Sequence, residues 1–198
     1  MRIALDTNCV LDLVGSTRFA TDLSVLVAAH ASNELTLCVP AISGSEWQRG
    51  GGTRPSFAEF EKLLVEAGLQ TAELLFPVMH FNATYWDRAV WGSEQFAEEM
   101  ARIHGVLFPS APYGWKEHCE LEGLDFRSAP IDRKFLNRLC DTSVLWCHIH
   151  YQTHALVTRD GNFTKATKLP RLRELGASDI WTPKEAVENL RLGKQGAV

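Results

Sequence analysis

The 198-residue sequence has no long apolar run, no Cys-x-x-Cys pair and no excess of positive charge. No apolar segment approaches the ~20 residues that a membrane-spanning helix needs, so no membrane partner is expected. Asp6 and Asp12 interrupt the N-terminal segment, which therefore lacks the apolar core of a signal peptide. We expect a cytoplasmic protein.

The cysteine content and the charge exclude further classes. The five cysteines are odd in number and predict reduced thiols rather than a disulfide scaffold or a zinc knuckle. The formal net charge of −4 provides no global positive field of the kind that indicates a nucleic-acid binder. Basic residues do gather between Arg133 and Arg173, which permits a phosphate-bearing substrate without requiring one.

The chain does contain short apolar runs that alternate with helical patterns. Four runs have the length and composition of strands, at 3–5, 35–39, 155–158 and 180–181. Apolar residues at three- and four-residue spacing predict helices at 18–31 and 56–67. A further helix is predicted to begin at 132–138 and either to continue or to restart over 140–150. The strand–helix–strand order predicts an α/β protein with parallel strands and right-handed crossovers.

The middle of the chain is harder to interpret. Residues 82–104 have the apolar spacing of one helix, or of two helices that break near Gly92. Prolines and glycines between 108 and 130 predict an irregular loop. We therefore expect a single domain over 1–198 with an irregular or helical excursion at about 74–130.

Trp86, Trp91 and Trp115 lie within this excursion. Exposed tryptophans can stack on nucleic-acid bases. Packing in the core or at a subunit interface is the more common use of a tryptophan, and it is the interpretation we favour.

Asp6 follows the first strand, at the edge of a parallel sheet where ligands bind. A carboxylate there either caps the next helix or takes part in binding and catalysis. Glu46 has the same two interpretations, because Ser43 and Glu46 have the spacing of a capping box in a helix within 41–49. The glycine-rich run at 50–55 predicts a flexible link after that helix.

Two further acids occupy comparable positions. Asp141 precedes Leu145 and Ile149 at four-residue steps, so it heads an otherwise apolar helical stripe. A carboxylate buried in such a stripe costs several kcal/mol unless it is paired or metal-bound, which favours a ligand role. Asp160 closely follows the apolar run at 155–158 and repeats the strand-then-acid pattern of Asp6.

Asp6, Glu46, Asp141 and Asp160 would repel one another at a shared sheet edge unless a divalent cation lay among them. Oxygen ligands alone favour Mg²⁺ or Mn²⁺ over zinc. Cations held in this way activate water and stabilise the leaving oxygen in phosphodiester hydrolysis. The four acids are therefore candidate metal ligands and catalytic residues.

At these residues the chain resembles the PIN-domain nucleases, which include the VapC-like toxin ribonucleases. The family pattern begins with a strand that ends in Asp-Thr/Ser-Asn/Ser, here Asp6-Thr7-Asn8. A Glu follows in the helix after the second strand, and Glu46 matches it.

The second half of the family pattern matches as well. An Asp that heads a later helix corresponds to Asp141, and a Thr-x-Asp-x-x-Phe turn corresponds to the segment from Thr158 to Phe163. Asn162 stands where many members carry a further acid. All four acids occur in the family's order, whereas the region at about 74–130 has no counterpart in compact members.

The resemblance implies a three-layer α/β/α fold around a mostly parallel twisted sheet, and a Mg²⁺- or Mn²⁺-dependent endoribonuclease. It assigns the principal metal to the first three acids and a second metal or the attacking water to Asp160. Thr7, Asn8 and Thr158 would orient these ligands through hydrogen bonds, and Arg159 would contact the scissile phosphate or remain solvated. Members are often homodimers and toxins, which predicts an RNA substrate, an antitoxin partner and a homodimer.

Three alternatives stay open. A haloacid-dehalogenase-like phosphatase needs a second Asp two residues after the first, where this chain has Asn8. A zinc site from His148, His150 and His154 is suggested by His150 and His154, which would lie one turn apart on a helix. It lacks a further ligand on that face, and we favour a polar helix end. A catalytically silent PIN-like module, which binds nucleic acid or an assembly partner, would be expected to have lost acids that are all present here.

Overall fold

A parallel sheet forms the centre of the protein. A computed structural model describes residues 1–46 and 56–195 of the chain. Within these residues the strands are β1 (Arg2–Leu5), β2 (Thr36–Pro40), β3 (Glu73–Leu75), β4 (Ala155–Val157) and β5 (Asp179–Trp181). They form an all-parallel sheet in the spatial order β3-β2-β1-β4-β5. The predicted helix beyond Glu46 and the predicted link at 50–55 lie outside the described residues.

Helices connect the strands. In chain order they are α1 (Thr7–Val14), α2 (Ala20–Ala31), α3 (Phe57–Glu66), α4 (Glu94–Leu107), α5 (Trp115–Glu122), α6 (Arg133–His150), α7 (Gly161–Thr164), α8 (Leu169–Glu174) and α9 (Pro183–Gln195). A short 3-10 helix, Ala41–Ser45, follows β2. Across the described part of the chain, no helix combines the length and apolar character needed to cross a membrane.

The helices cover both faces of the sheet, because successive side chains of a strand point to opposite faces. Ile3 and Leu5 of β1 pack in one buried cluster with α1, α2, α3 and α9. Ala4, between them, packs in a second cluster with α4, α6 and α8. The predicted three-layer α/β/α architecture is therefore confirmed. The four predicted strands lie within one residue of their predicted ends.

The strand order reverses between β1 and β4. From β1 the chain moves outward to β2 and β3, and then returns through α6 to place β4 on the other side of β1. In open parallel sheets, ligands bind at the carboxyl ends of strands that flank such a reversal. Asp6 directly follows β1, and Asp160 lies three residues after β4.

Helix α6 is longer than the motif suggested. Asp132 begins it by accepting a hydrogen bond from the Phe135 backbone N–H at 2.8 Å. No proline or glycine interrupts 133–150, so the helix continues without a break. Asp141 therefore lies in the middle of a helix, and the prediction that it heads one is wrong.

The region at about 74–130 contributes to the core. The predicted helix over 82–104 is wrong before Glu94, because Ser93 caps α4 and accepts a hydrogen bond from Phe96 N–H at 3.2 Å. Residues 82–92 form turns, with an isolated bridge between Val78 and Val90. The predicted loop at 108–130 contains α5, and the edge strand β3 was not predicted. Met100 of α4 is fully buried, so α4 is part of the domain's core.

The tryptophans of this region do not share one environment. Trp86 and Trp91 are 66% and 70% exposed, so the favoured interpretation as core residues is wrong for both. They pack edge-to-face on each other with centroids 5.9 Å apart, and Phe81, also exposed, packs on Trp86. Trp115 is partly buried, and its Nε1–H donates to the Phe126 carbonyl at 3.2 Å. A subunit interface stays a prediction.

Replacement of Ile3 tests the importance of the central strand. Ile3 is fully buried between two parallel neighbours, so Ile3→Ala should lower the free energy of unfolding by about 2–5 kcal/mol. Val65→Ala on α3 removes methyl groups from a side chain that is 61% exposed and should change it by less than about 0.5 kcal/mol. Urea denaturation monitored by circular dichroism measures both. An equal loss of unfolding free energy in the two variants would show that β1 is not central to stability.

Candidate metal centre

Asp6 is nearly completely buried at the carboxyl end of β1, where it caps α1. Its Oδ1 accepts a hydrogen bond from the Thr7 backbone N–H at 2.7 Å. Its Oδ2 accepts from the Thr158 hydroxyl at 2.6 Å and from Asn8 Nδ2. Three of about four acceptor positions of the carboxylate are thus used, which leaves Oδ1 able to bind one further cation or donor.

Thr7, Asn8 and Thr158, which were predicted to orient the metal ligands, contact Asp6 in different ways. Asn8 and Thr158 bind Asp6 directly, and Asn8 Nδ2 also lies 3.2 Å from the Thr158 hydroxyl. Thr7 binds Asp6 only through its backbone. Its buried Oγ1 has no hydrogen-bond partner in the described part of the chain. A buried hydroxyl without a partner beside an acid is a polar group available to a ligand or to water.

Asp160 is held in a similar way beyond β4. It caps α7, and its Oδ1 accepts from the Asn162 backbone N–H at 2.8 Å. Its own backbone N–H donates to Thr158 Oγ1 at 2.9 Å. Thr158 therefore links the backbone of Asp160 to the carboxylate of Asp6, as expected where β1 and β4 are neighbours.

Glu46 reaches the same edge of the sheet from β2. It ends the 3-10 helix Ala41–Ser45 in an extended conformation, with φ −62° and ψ 141°. The predicted capping box is wrong, because Ser43 lies inside the 3-10 helix and Glu46 does not lie in the first turn of a helix. Pro40 closes the strand and the 3-10 helix follows at once, so Glu46 remains near the end of the sheet.

The four acids, here called the acid cluster, affect one another electrostatically. Burial is the main cause that raises the pKa of Asp6 to about 7, and the charges of Glu46 and Asp160 raise it further, against the hydrogen bond from Thr158. Burial also raises the pKa of Asp141 well above its usual range, with contributions from the other three acids. Mutual repulsion of this kind shows that the four carboxylates share one region.

The acid cluster has the donor chemistry of a Mg²⁺ or Mn²⁺ site, since its ligands would all be oxygen atoms. Among the described residues, no three acidic, histidine or cysteine side chains stand in an arrangement that could hold a metal ion as they are. Cation binding by all four acids therefore requires their side chains to move. Like charges without a counterion are expected to stay apart.

Lys168 is the residue that the sequence motifs missed. It precedes α8, and its Nζ donates to the Leu107 carbonyl at 2.5 Å and to Asn162 Oδ1. Burial lowers the pKa of Lys168, whereas the charges of Asp160 and Asp141 raise it. The same ammonium lowers the pKa of Asp141. Only its closeness to Asp160 in the sequence could have indicated this position.

Arg159 is held by a buried acid. Its Nε lies 2.5 Å from Asp12 Oδ2, and the Asp12 side chain is only 3% exposed. Thr17 donates to the other oxygen of Asp12 at 2.9 Å, and the Arg159 guanidinium lies over the Phe19 ring at 5.6 Å. The Arg159 side chain is one-third exposed, so a contact with substrate stays a prediction.

The three histidines of the zinc alternative have separate structural partners. His148 Nδ1 pairs with Thr153 Oγ1 at 2.6 Å, and the His150 ring stacks on Trp146 at 4.2 Å. His154 Nδ1 accepts from the Arg2 backbone N–H at 3.0 Å. Because α6 ends at His150, the prediction that His150 and His154 lie one turn apart on a helix is wrong.

The pKa of Asp6 predicts how stability depends on pH. Between about pH 4 and 7, the unfolded chain loses the Asp6 proton while the metal-free native protein keeps it. The Asp6 contribution to the free energy of unfolding should therefore fall as the pH rises through this window. Mg²⁺ should raise the melting temperature at pH 8 and have little effect at pH 5. Thermal unfolding of wild type and Asp6→Asn measures this, and parallel pH profiles would contradict it.

Removal of Arg159 should leave the Asp12 carboxylate buried without its counterion. We expect Arg159→Met to lower the free energy of unfolding by about 1–3 kcal/mol, less than the ~3–5 kcal/mol of a fully buried pair because Arg159 is partly exposed. Asp12→Asn combined with Arg159→Met should recover part of the loss. Urea unfolding measures this coupling, and a fully stable Arg159→Met variant would contradict the structural role.

Comparison of the chain with protein-family models, with curated proteins and with solved structures gave no match.

Proposed function

We propose that this chain is a Mg²⁺- or Mn²⁺-dependent endoribonuclease that hydrolyses phosphodiester bonds at the acid cluster. The observation that supports this proposal most directly is the electrostatic coupling of four carboxylates beside the reversal in strand order. Burial of acids that repel one another is unfavourable in the metal-free protein and becomes favourable when a divalent cation binds.

The chain's own residues would prepare the site for the cation. Asn8 and Thr158 hold one oxygen of Asp6, and the Thr7 N–H holds the other. The start of α1 places a positive helix end beside Asp6, which favours the ionised carboxylate. A bound Mg²⁺ or Mn²⁺ would supply activation of the attacking water and stabilisation of the leaving oxygen.

The finer parts of the proposal depend on the resemblance to PIN-domain nucleases. These are RNA as the substrate, a toxin role with an antitoxin partner, a homodimer and a cytoplasmic location. The net charge of −4 does not favour RNA as the substrate, since no global positive field guides a nucleic acid to the site. They stay predictions.

A nucleic-acid-binding module that does not cleave is the second candidate. The exposed rings of Phe81, Trp86 and Trp91 favour it, because aromatic side chains on a surface provide stacking platforms for unpaired bases. Such a module would bind RNA with or without a divalent cation. Removal of the metal therefore distinguishes the two candidates, because it should stop cleavage by a nuclease and leave RNA binding by a module unchanged.

Cleavage of single-stranded and structured RNA with Mg²⁺ or Mn²⁺ tests the nuclease. Asp6→Asn and Asp141→Asn keep the size of each side chain and remove the charge that a cation needs, so each should lower the cleavage rate by at least about 100-fold. Chelation of the metal should abolish cleavage by the wild type. Product analysis on denaturing gels measures both.

Asp179→Asn is the matched control for these variants. Asp179 begins β5, so it lies at the opposite edge of the same sheet, and it is exposed. Its replacement should leave cleavage unchanged. Binding of RNA without cleavage would favour the second candidate, and cleavage that survives both acid substitutions would point to a contaminating nuclease.

A further inference from the structure

The ammonium group of Lys168 is fixed beside the acid cluster by two elements. Its Nζ donates to the carbonyl of Leu107, the last residue of α4, at 2.5 Å. It also donates to the side-chain oxygen of Asn162 in α7. A lysine ammonium has three N–H donors, so one donor remains after these two bonds.

The charge of this ammonium acts on one side of the acid cluster. Lys168 favours the ionised form of Asp141, and Asp141 and Asp160 in turn favour the charged form of Lys168. The geometry agrees, because Lys168 Nζ is hydrogen-bonded to Asn162, two residues from Asp160. The carboxylate of Asp6 is instead hydrogen-bonded to Thr7, Asn8 and Thr158. Lys168 is thus a local counterion for the Asp141–Asp160 side.

Asn162 provides the second observation. Its amide oxygen, which could otherwise bind a cation, already accepts a hydrogen bond from Lys168. The neighbouring Asp160 Oδ1 accepts from the Asn162 backbone N–H. A second divalent cation on this side would therefore meet a fixed positive charge and ligands that are already engaged.

We propose that Lys168 supplies the positive charge on the Asp141–Asp160 side of the acid cluster, so that the site binds one divalent cation instead of two. This inference rests on the proposed function, because it assumes that the acid cluster binds Mg²⁺ or Mn²⁺. Asp6, Glu46 and Asp141 would hold that cation. Lys168 is a charge-balancing residue that acts through its position beside Asn162 and Asp160.

Direct measurement of Mn²⁺ binding tests this proposal without the use of activity. Titration of the full chain, followed by the electron paramagnetic resonance signal of free Mn²⁺, should give one bound ion per chain. Lys168→Met removes the repelling charge, so it should bind Mn²⁺ at least about tenfold more tightly or take up a second ion. Lys168→Gln, which is neutral but keeps a hydrogen-bond donor, should behave like Lys168→Met.

Two further variants separate charge from structure. Lys168→Arg keeps the charge and should retain one ion with the affinity of the wild type. Lys116→Met is the matched control, because Lys116 is exposed on α5 and its ammonium lies 3.9 Å from Glu120, which is not part of the acid cluster. Circular dichroism of each variant confirms that it is folded before the titration.

The outcomes distinguish this inference from the proposed function. Two Mn²⁺ ions per wild-type chain, or unchanged binding in both neutral Lys168 variants, would overturn the role of Lys168 while metal-dependent cleavage could still be present. Absence of Mn²⁺ binding together with absence of metal-dependent cleavage would overturn the proposed function itself, and the role of Lys168 with it. Tighter binding in Lys168→Met but not in Lys116→Met supports the inference.

Discussion

The carboxylate of Asp6 lies buried at the end of β1, where three hydrogen bonds replace the water that it has lost. These bonds do not fully compensate for burial, since the pKa of Asp6 rises to about 7. The hydrogen-bond partners of Asp6 are placed by the secondary-structure elements next to it. Thr158 donates to Asp6 because β4, which precedes Thr158, pairs with β1. Asn8 donates to Asp6 because it lies in the first turn of α1, which Asp6 caps. The sheet order thus determines which polar groups surround the acid.

Capping and ligand binding are not alternatives at this site. Asp6 caps α1 and Asp160 caps α7, and both acids belong to the acid cluster. A cap restricts the rotation of the carboxylate and leaves acceptor positions unused, so a capping acid keeps oxygen atoms with which it can bind a further partner. The same bonds stabilise the metal-free protein. This explains how a cluster of acids can be maintained in a fold before any cation is bound.

The parts of the site that follow a strand were predictable from the sequence, and the parts that depend on distant contacts were not. Asp6 and Asp160 follow apolar runs whose ends lie within one residue of the predicted ends. Glu46 was assigned to a helix because Ser43 has capping-box spacing, but the chain leaves β2 in a 3-10 helix instead. Lys168 was missed because its position depends on Leu107, which lies 61 residues earlier in the chain. A local sequence pattern does not predict a contact between residues so far apart in the chain.

The middle of the chain also makes contacts with the site that no local sequence pattern predicts. Helix α4 was predicted within a longer apolar pattern, but that pattern did not show that α4 packs on α6, the helix that carries Asp141. The end of α4 also provides the Leu107 carbonyl that fixes Lys168. One helix of the excursion therefore contacts both the helix that carries Asp141 and the side chain of Lys168. The excursion thus determines where Lys168 lies relative to Asp141, although no local sequence pattern connects these two residues.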